Sequence, residues 1–149
     1  MHPKSRGCFT IVQNEKEEVL LVKRKDYPLW DLPGGVLDDA ETLSRCAERE
    51  IREESGYIVS IQKQIAQYEI DGRDVQYIFS GVLEGGNPIQ DGPETAEVRW
   101  FSENRLPYFM IPHRKKQIKS YLKSPDAFIH QSLQDPWYIK IAKSNRKKG

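Results

Sequence analysis

Along the chain, apolar residues repeat at every second position in some stretches and at every third or fourth in others, and this change of period predicts the elements. GCFTIVQ and EVLLVKRK are β-rich runs parted by the polar NEKE, which predicts a hairpin or neighbouring strands. In DYPLWDLPGG, two prolines and a double glycine exclude helix and predict a tight, exposed turn. An amphipathic helix is predicted from an N-cap at Asp38 or Asp39 to Gly56, with Ala40, Leu43, Ala47 and Ile51 as its apolar stripe. YIVSIQKQIAQYEI and VQYIFSGVLEG are β-prone runs joined by DGRD, whose Asp-Gly pair signals a short turn. After the loop GNPIQDGPETA, EVRWF predicts a short strand, and HRKKQIKSYLK a second amphipathic helix behind Pro112. The predicted order β, β, α, β, β, β, α describes an α/β chain whose helices cover both faces of a mixed sheet.

A length of 149 residues fits one domain with a single substantial core. The formal net charge of +1 offers no bulk attraction for a nucleic-acid polymer or a membrane surface. No window approaches the roughly 20 apolar residues that span a bilayer, and the amino-terminal apolar run is too short for a signal peptide. Cys8 and Cys46 sit in apolar surroundings without ligand-like spacing, so they read as free buried thiols and favour a reducing, cytoplasmic setting.

The first helix carries an anomaly. Glu50, Glu53 and Glu54 crowd its carboxyl end, where the macrodipole is already negative and cations are the favourable choice. On a helical wheel Glu50 and Glu54 project within roughly 20° of Leu43, and Glu53 falls at the other margin of the stripe, so all three are expected to point inward. Glu41, Glu48 and Arg52 fall on the solvated side. Like charges at this spacing each cost about 0.2 to 0.5 kcal/mol, and partial burial raises that cost. Arg49 is the one basic residue on that side within the last two turns, and it is placed better for Glu53 than for Glu50 or Glu54. A divalent cation resolves the conflict, and Mg2+ suits carboxylate oxygens shared with substrate phosphates.

Gly35, five residues, Glu41, seven residues, then Arg49-Glu50-Ile51-Arg52-Glu53-Glu54-Ser55-Gly56-Tyr57 resembles the Nudix box, with Tyr57 the one departure, where an aliphatic residue is usual. LPGG ahead of the box and EVRWF after it extend the resemblance to roughly residues 6 to 124. It implies a Nudix-type α/β/α sandwich with a central mixed β-sheet over 1–124, and a carboxy-terminal extension, 125–149, docked on the domain or a partner with a frayed basic end. It further implies a metal-dependent hydrolase of the diphosphate linkage in a nucleoside diphosphate joined to another group, with Mg2+ or Mn2+ as cofactor. By position Glu50, Glu54 and the Gly34 carbonyl would be metal ligands, Glu53 a further ligand or the base, and Arg49 an orienting residue paired with Glu41. Family members often recruit another acid from the loop before the late strand, and Glu94 is preferred to Glu97.

Arg24, at the end of the second strand, is a candidate to hold a phosphate, with a surface salt bridge the competing reading. Tyr27, Trp30, Tyr77 and Phe79 are candidates to stack on a base, against the alternative that strand aromatics fill the core. The run HRKK at 113–116 is expected on a solvated helix face. Gly72 stands where ADP-ribose hydrolases of the family carry a proline, and the NADH-hydrolase array is missing, which leaves nucleoside triphosphates and dinucleoside polyphosphates as substrates. The family also allows a homodimer. A catalytically silent nucleotide sensor is the alternative function, and the intact set Glu50, Glu53 and Glu54 argues against it.

Overall fold

The computed structural model describes residues 5–136 together with 138 and 139. In chain order these form β1 (Ser5–Gln13), β2 (Val19–Arg24), β3 (Trp30–Asp31), β4 (Gly34–Val36), α1 (Leu43–Ser55), β5 (Tyr57–Ile70) and β6 (Asp74–Gly86). They continue with β7 (Thr95–Phe101), a 3₁₀ turn (Glu103–Arg105), α2 (Arg114–Lys123) and β8 (Ile129–Leu133).

The sheet runs β3-β2-β1-β6-β5-β8, with β4 pairing β1 and β7 pairing β2. It is mixed, as expected: β1 and β6 run parallel from Ser5↔Asp74 to Gln13↔Val82, while β5 and β6 form a long antiparallel hairpin. Asp71 (φ 56°) and Gly72 (φ 66°) turn that hairpin in the left-handed region, the conformation an Asp-Gly pair tolerates. Because strand side chains alternate, β1 serves two layers. Cys8 packs with Cys46, Ala47 and Phe79, and Val12 with Leu20, Ile51 and Val59, which seats α1 on one face. Ile11 packs with Ile78 and Ile118, which seats α2 on the other. Burying Ile51 or Ile118 fully contributes about 1.5 to 3 kcal/mol each, so both helices are anchored through the sheet they cover. The α/β/α expectation is met, both cysteines are free and buried, and no helix among the described residues is long and apolar enough to cross a membrane.

Three local expectations are corrected. α1 begins later than Asp38 or Asp39: Thr42 is its N-cap, accepting from the Arg45 N–H at 3.2 Å. The preceding residues are spent on a turn in which the Glu41 N–H donates to the Asp38 carbonyl. Ala40 is consequently exposed and outside the apolar stripe. The DYPLWDLPGG segment is exposed only in its first part, at Asp26 and Pro28; from Trp30 to Gly34 it is buried and contributes β3 and the start of β4, with Gly34 opposite Phe9. Strands of two or three residues leave no period to read. The segment after α2 adds β8 to the sheet edge, parallel to β5. The expected fraying of RKKG, and Trp137, lie outside the described residues.

Candidate active site

A cleft of about 700 Å³ opens where α1, the β4 turn and the exposed ends of β1 and β6 meet. Glu50 and Glu54, one turn apart on α1, are both buried against it. Gly34 and Gly35 make this approach feasible: the Gly34 N–H donates to Glu54 Oε1 at 2.6 Å, and a Cβ on Gly35 would lie 2.5 Å from the Glu50 carboxyl carbon. Behind the acids, Gly56 ends the helix at φ 84°, where any side chain would also strike the Asn87 carbonyl.

Arg49 clamps the acidic face. Its Nε and Nη2 donate to the two Glu41 carboxylate oxygens at 2.5 and 2.9 Å, and its Nη1 donates to Glu50 Oε1 at 3.0 Å and Glu53 Oε2 at 3.1 Å. The planar guanidinium thus reaches Glu50 as well as Glu53, and the expected preference for Glu53 is not observed. Glu41 sits in the clamp rather than on a solvated face, because the turn ahead of α1 folds it back onto the helix. The Arg49 hydrogen bond holds the Glu41 carboxyl down to about 2. Glu53 is not inward: its side chain is 57% exposed.

Burial pushes the Glu54 carboxyl up to about 8, against the opposing Gly34 N–H and with the charge of Glu50 adding to the rise. Burial also raises Glu50, and its nearby Arg49 does not offset the loss of water. Two buried carboxyls that resist ionisation at one cleft are the donor set a hard cation would satisfy. Among the described residues, no three His, Cys, Asp or Glu side chains converge closely enough to hold a metal ion by themselves. Two carboxylates could supply only part of the shell of a divalent cation, the rest coming from water and substrate oxygens.

Glu94 lines the cleft, and its charge adds to the rise at Glu50. A register shift between Lys23 and Arg24 pairs Lys23 with Glu97 and Arg24 with Thr95, which leaves Glu94 just ahead of β7 at the cleft mouth. Glu97 is committed to Arg99. Arg24 and Tyr27 also line the cleft, the guanidinium 5.3 Å from the ring centroid. Arg24 is engaged with Asp26 at 2.5 Å and lies 3.6 Å from Asp31, so the salt-bridge reading is observed, at a residue on the cleft wall. Trp30 is excluded from the site: it is buried in the α2-side core, edge-on to Phe101 at 5.0 Å. Phe79 and Tyr77 pack beneath α1.

Sequence reasoning missed Arg114. Expected on a solvated face, it is 1% exposed, because His113 enters the left-handed region (φ 75°) as α2 starts and turns the next side chain under the sheet. Its Nε donates to Asp31 at 2.5 Å, its Nη1 to Gln76 at 2.7 Å and Gln117 at 2.9 Å, and its guanidinium lies 4.1 Å from the Phe9 ring centroid. Gln76 and Phe9 line the cleft, so a buried cation fixes its floor. The only hint in the sequence is a basic run set directly behind a proline.

The model of the NUDIX domain matches residues 1–122. The chain is 48% identical over 118 residues to the "Putative 8-oxo-dGTP diphosphatase" of Bacillus subtilis, covering 78% of this chain and 79% of that one. It is 32% identical over 131 residues to the ADP-ribose pyrophosphatase of Methanocaldococcus jannaschii, covering 83% and 75%. Among solved structures, a NUDIX hydrolase from Nitrosomonas europaea superposes with a TM-score of 0.79 at 26% identity, over 91% of this chain and 81% of that one. With the box, the acid-lined cleft and these relatives in agreement, the chain belongs to the Nudix hydrolase family, as a pyrophosphohydrolase of phosphorus-containing acid anhydrides.

Proposed function

We propose that the protein cleaves the diphosphate linkage of a nucleoside diphosphate joined to a further group, with nucleoside triphosphates as its principal substrates and Mg2+ or Mn2+ as cofactor. One observation carries the reading: Glu50 and Glu54 are buried together against the Gly34-Gly35 turn, and among the described residues no cationic side chain forms an ion pair with both. Glu50, Glu54 and the Gly34 carbonyl would hold the cation, with Glu53 a further ligand from the rim. When bound there, a divalent cation neutralises the diphosphate and acidifies a water for attack on phosphorus. Glu94 would take the proton from that water as general base. Arg49 keeps Glu50 oriented through the Glu41 clamp. Arg24, at the cleft wall beside Tyr27, would meet the outer phosphates, exchanging part of its contact with Asp26.

The similarity to a protein described as acting on 8-oxo-dGTP supports an oxidised or unmodified purine triphosphate as the leading substrate, and the ADP-ribose relative places ADP-ribose in the same comparison. The test is a turnover panel of dGTP, 8-oxo-dGTP, dATP, ADP-ribose and a dinucleoside polyphosphate, with Mg2+ or with EDTA, products separated by anion exchange. Cation-dependent release of a nucleoside monophosphate and pyrophosphate from the triphosphates is expected. Saturable nucleotide binding without turnover of any member would establish the sensor reading instead.

A further inference from the structure

The cleft extends beyond the acids, across β1, to a second set of polar groups on β6. β4 and β6 flank the amino-terminal half of β1, where Gly35 pairs with Cys8 on one side and Gln76 with Gly7 on the other. With strands about 4.8 Å apart, Gln76 stands about 10 Å across the sheet from the Gly34-Gly35 turn. One cleft is lined by the acids and by Gln76, so a single nucleotide could span both. Gly7, directly opposite Gln76, has no side chain, and the Phe9 ring closes the floor there, 3.0 Å from where a Cβ would stand.

The orientation of the Gln76 amide follows from chemistry. Arg114 Nη1 donates to Gln76 Oε1 at 2.7 Å, and arginine has no acceptor, so the oxygen must face inward and the NH2 group outward. Arg114 is itself immobilised by Asp31, Gln117 and Phe9. The outward Nε2 has no hydrogen-bond partner among the described residues. Two positions earlier on the same face of β6, Asp74 also lines the cleft, with Oδ1 accepting from Ser5 Oγ at 3.0 Å and its second oxygen available. The floor therefore presents a donor beside a carboxylate acceptor.

We propose that Gln76 and Asp74 read the base, and that they select a 6-oxo purine of the guanine type; this rests on the nucleotide reading of the cleft given above. Guanine offers its O6 acceptor next to the N1–H and N2–H2 donors, matching Gln76 Nε2 and the Asp74 carboxylate in turn. Adenine in the same pose sets N6–H2 against the Gln76 NH2 and the N1 lone pair against the carboxylate, leaving both pairs unsatisfied. Guanine and 8-oxoguanine share this edge, so it accepts both and does not itself sense oxidation at C8. Arg114 is a positioning residue: without it the amide is free to flip and the donor is lost.

The experiment uses binding, which needs no turnover. Calorimetric titration of the full chain with GMP and with AMP is expected to favour GMP by about tenfold or more. Gln76→Glu keeps the Arg114 contact but offers an acceptor in place of the donor, and is expected to abolish the preference with the melting temperature retained; if it does not fold, Asp74→Asn is expected to erode the preference in the same way. Equal binding of GMP and AMP by the native protein, or an unchanged preference in a folded variant, overturns the proposal. Failure of the hydrolysis panel with the GMP preference intact would strike the catalytic reading alone.

Discussion

Removing the Glu54 charge should weaken the enzyme and strengthen the cation-free fold. The carboxyl is 9% exposed and its pKa moves from 4.5 up to about 8, chiefly through burial. A carboxyl whose folded value exceeds its unfolded value binds its proton more tightly when folded. Its contribution to stability is therefore full below pH 4.5 and is lost as the pH rises through 4.5 towards about 8. At about 1.4 kcal/mol per pH unit, the whole displacement corresponds to about 5 kcal/mol, and water penetration into a site open to the cleft reduces this to about 2 to 4 kcal/mol. Glu50 is raised by burial and adds to the loss in the same direction, while Glu41, held down to about 2, is ionised across this window and adds no slope. Gln at position 54 still accepts from the Gly34 N–H and carries no charge. Urea unfolding of EDTA-treated protein at about pH 5 and about pH 8 measures the difference. Wild type should lose about 2 to 4 kcal/mol more than Glu54→Gln between the two conditions, and millimolar Mg2+ should restore the wild type more than the variant by mass action. Two unfolding curves that keep a constant separation at both pH values would refute the argument that burial opposes this charge.

Glu94→Gln should lower kcat by about a hundredfold or more with little change in KM, as expected on losing a general base, whereas Glu97→Gln should stay near wild type. Steady-state kinetics of the pair decides between them, and equal losses would return both acids to the status of loop charges. Gly35→Ala places a methyl 2.5 Å from the Glu50 carboxyl carbon, at the far end of a flexible side chain. Activity should fall steeply while the melting temperature moves by only a few degrees; a variant that unfolds would show that the turn itself lacked room.

The parts of this fold that were legible share one property: each is written in neighbouring residues. The switch from two-residue to helical spacing located β1, β2, α1, β5, β6, β7 and α2, and Asp71-Gly72 located the hairpin turn. β3, β4 and β8 escaped because two to five residues in extended pairing depend on a partner strand far along the chain. The N-cap was misplaced because Asp38, Asp39 and Thr42 are all suitable residue types within five positions, and the Glu41 turn, a contact with Arg49 eight residues on, decides among them.

The same division separates the site. The sequence by itself determined the acids, the two glycines and their helical spacing, and like charges so placed pointed to a compensating cation. Only the tertiary structure decided which of those acids are buried, because burial depends on what packs against α1: the Gly34-Gly35 turn lies against Glu50 and Glu54, while Glu53 stays exposed. It also decided that Trp30 is core, that Glu94 and not Glu97 faces the cleft, and that Arg114 lies under the floor holding Gln76. Charge and hydrophobicity are properties of a residue, whereas desolvation and the choice of hydrogen-bond partner belong to the surface that the whole chain builds around it.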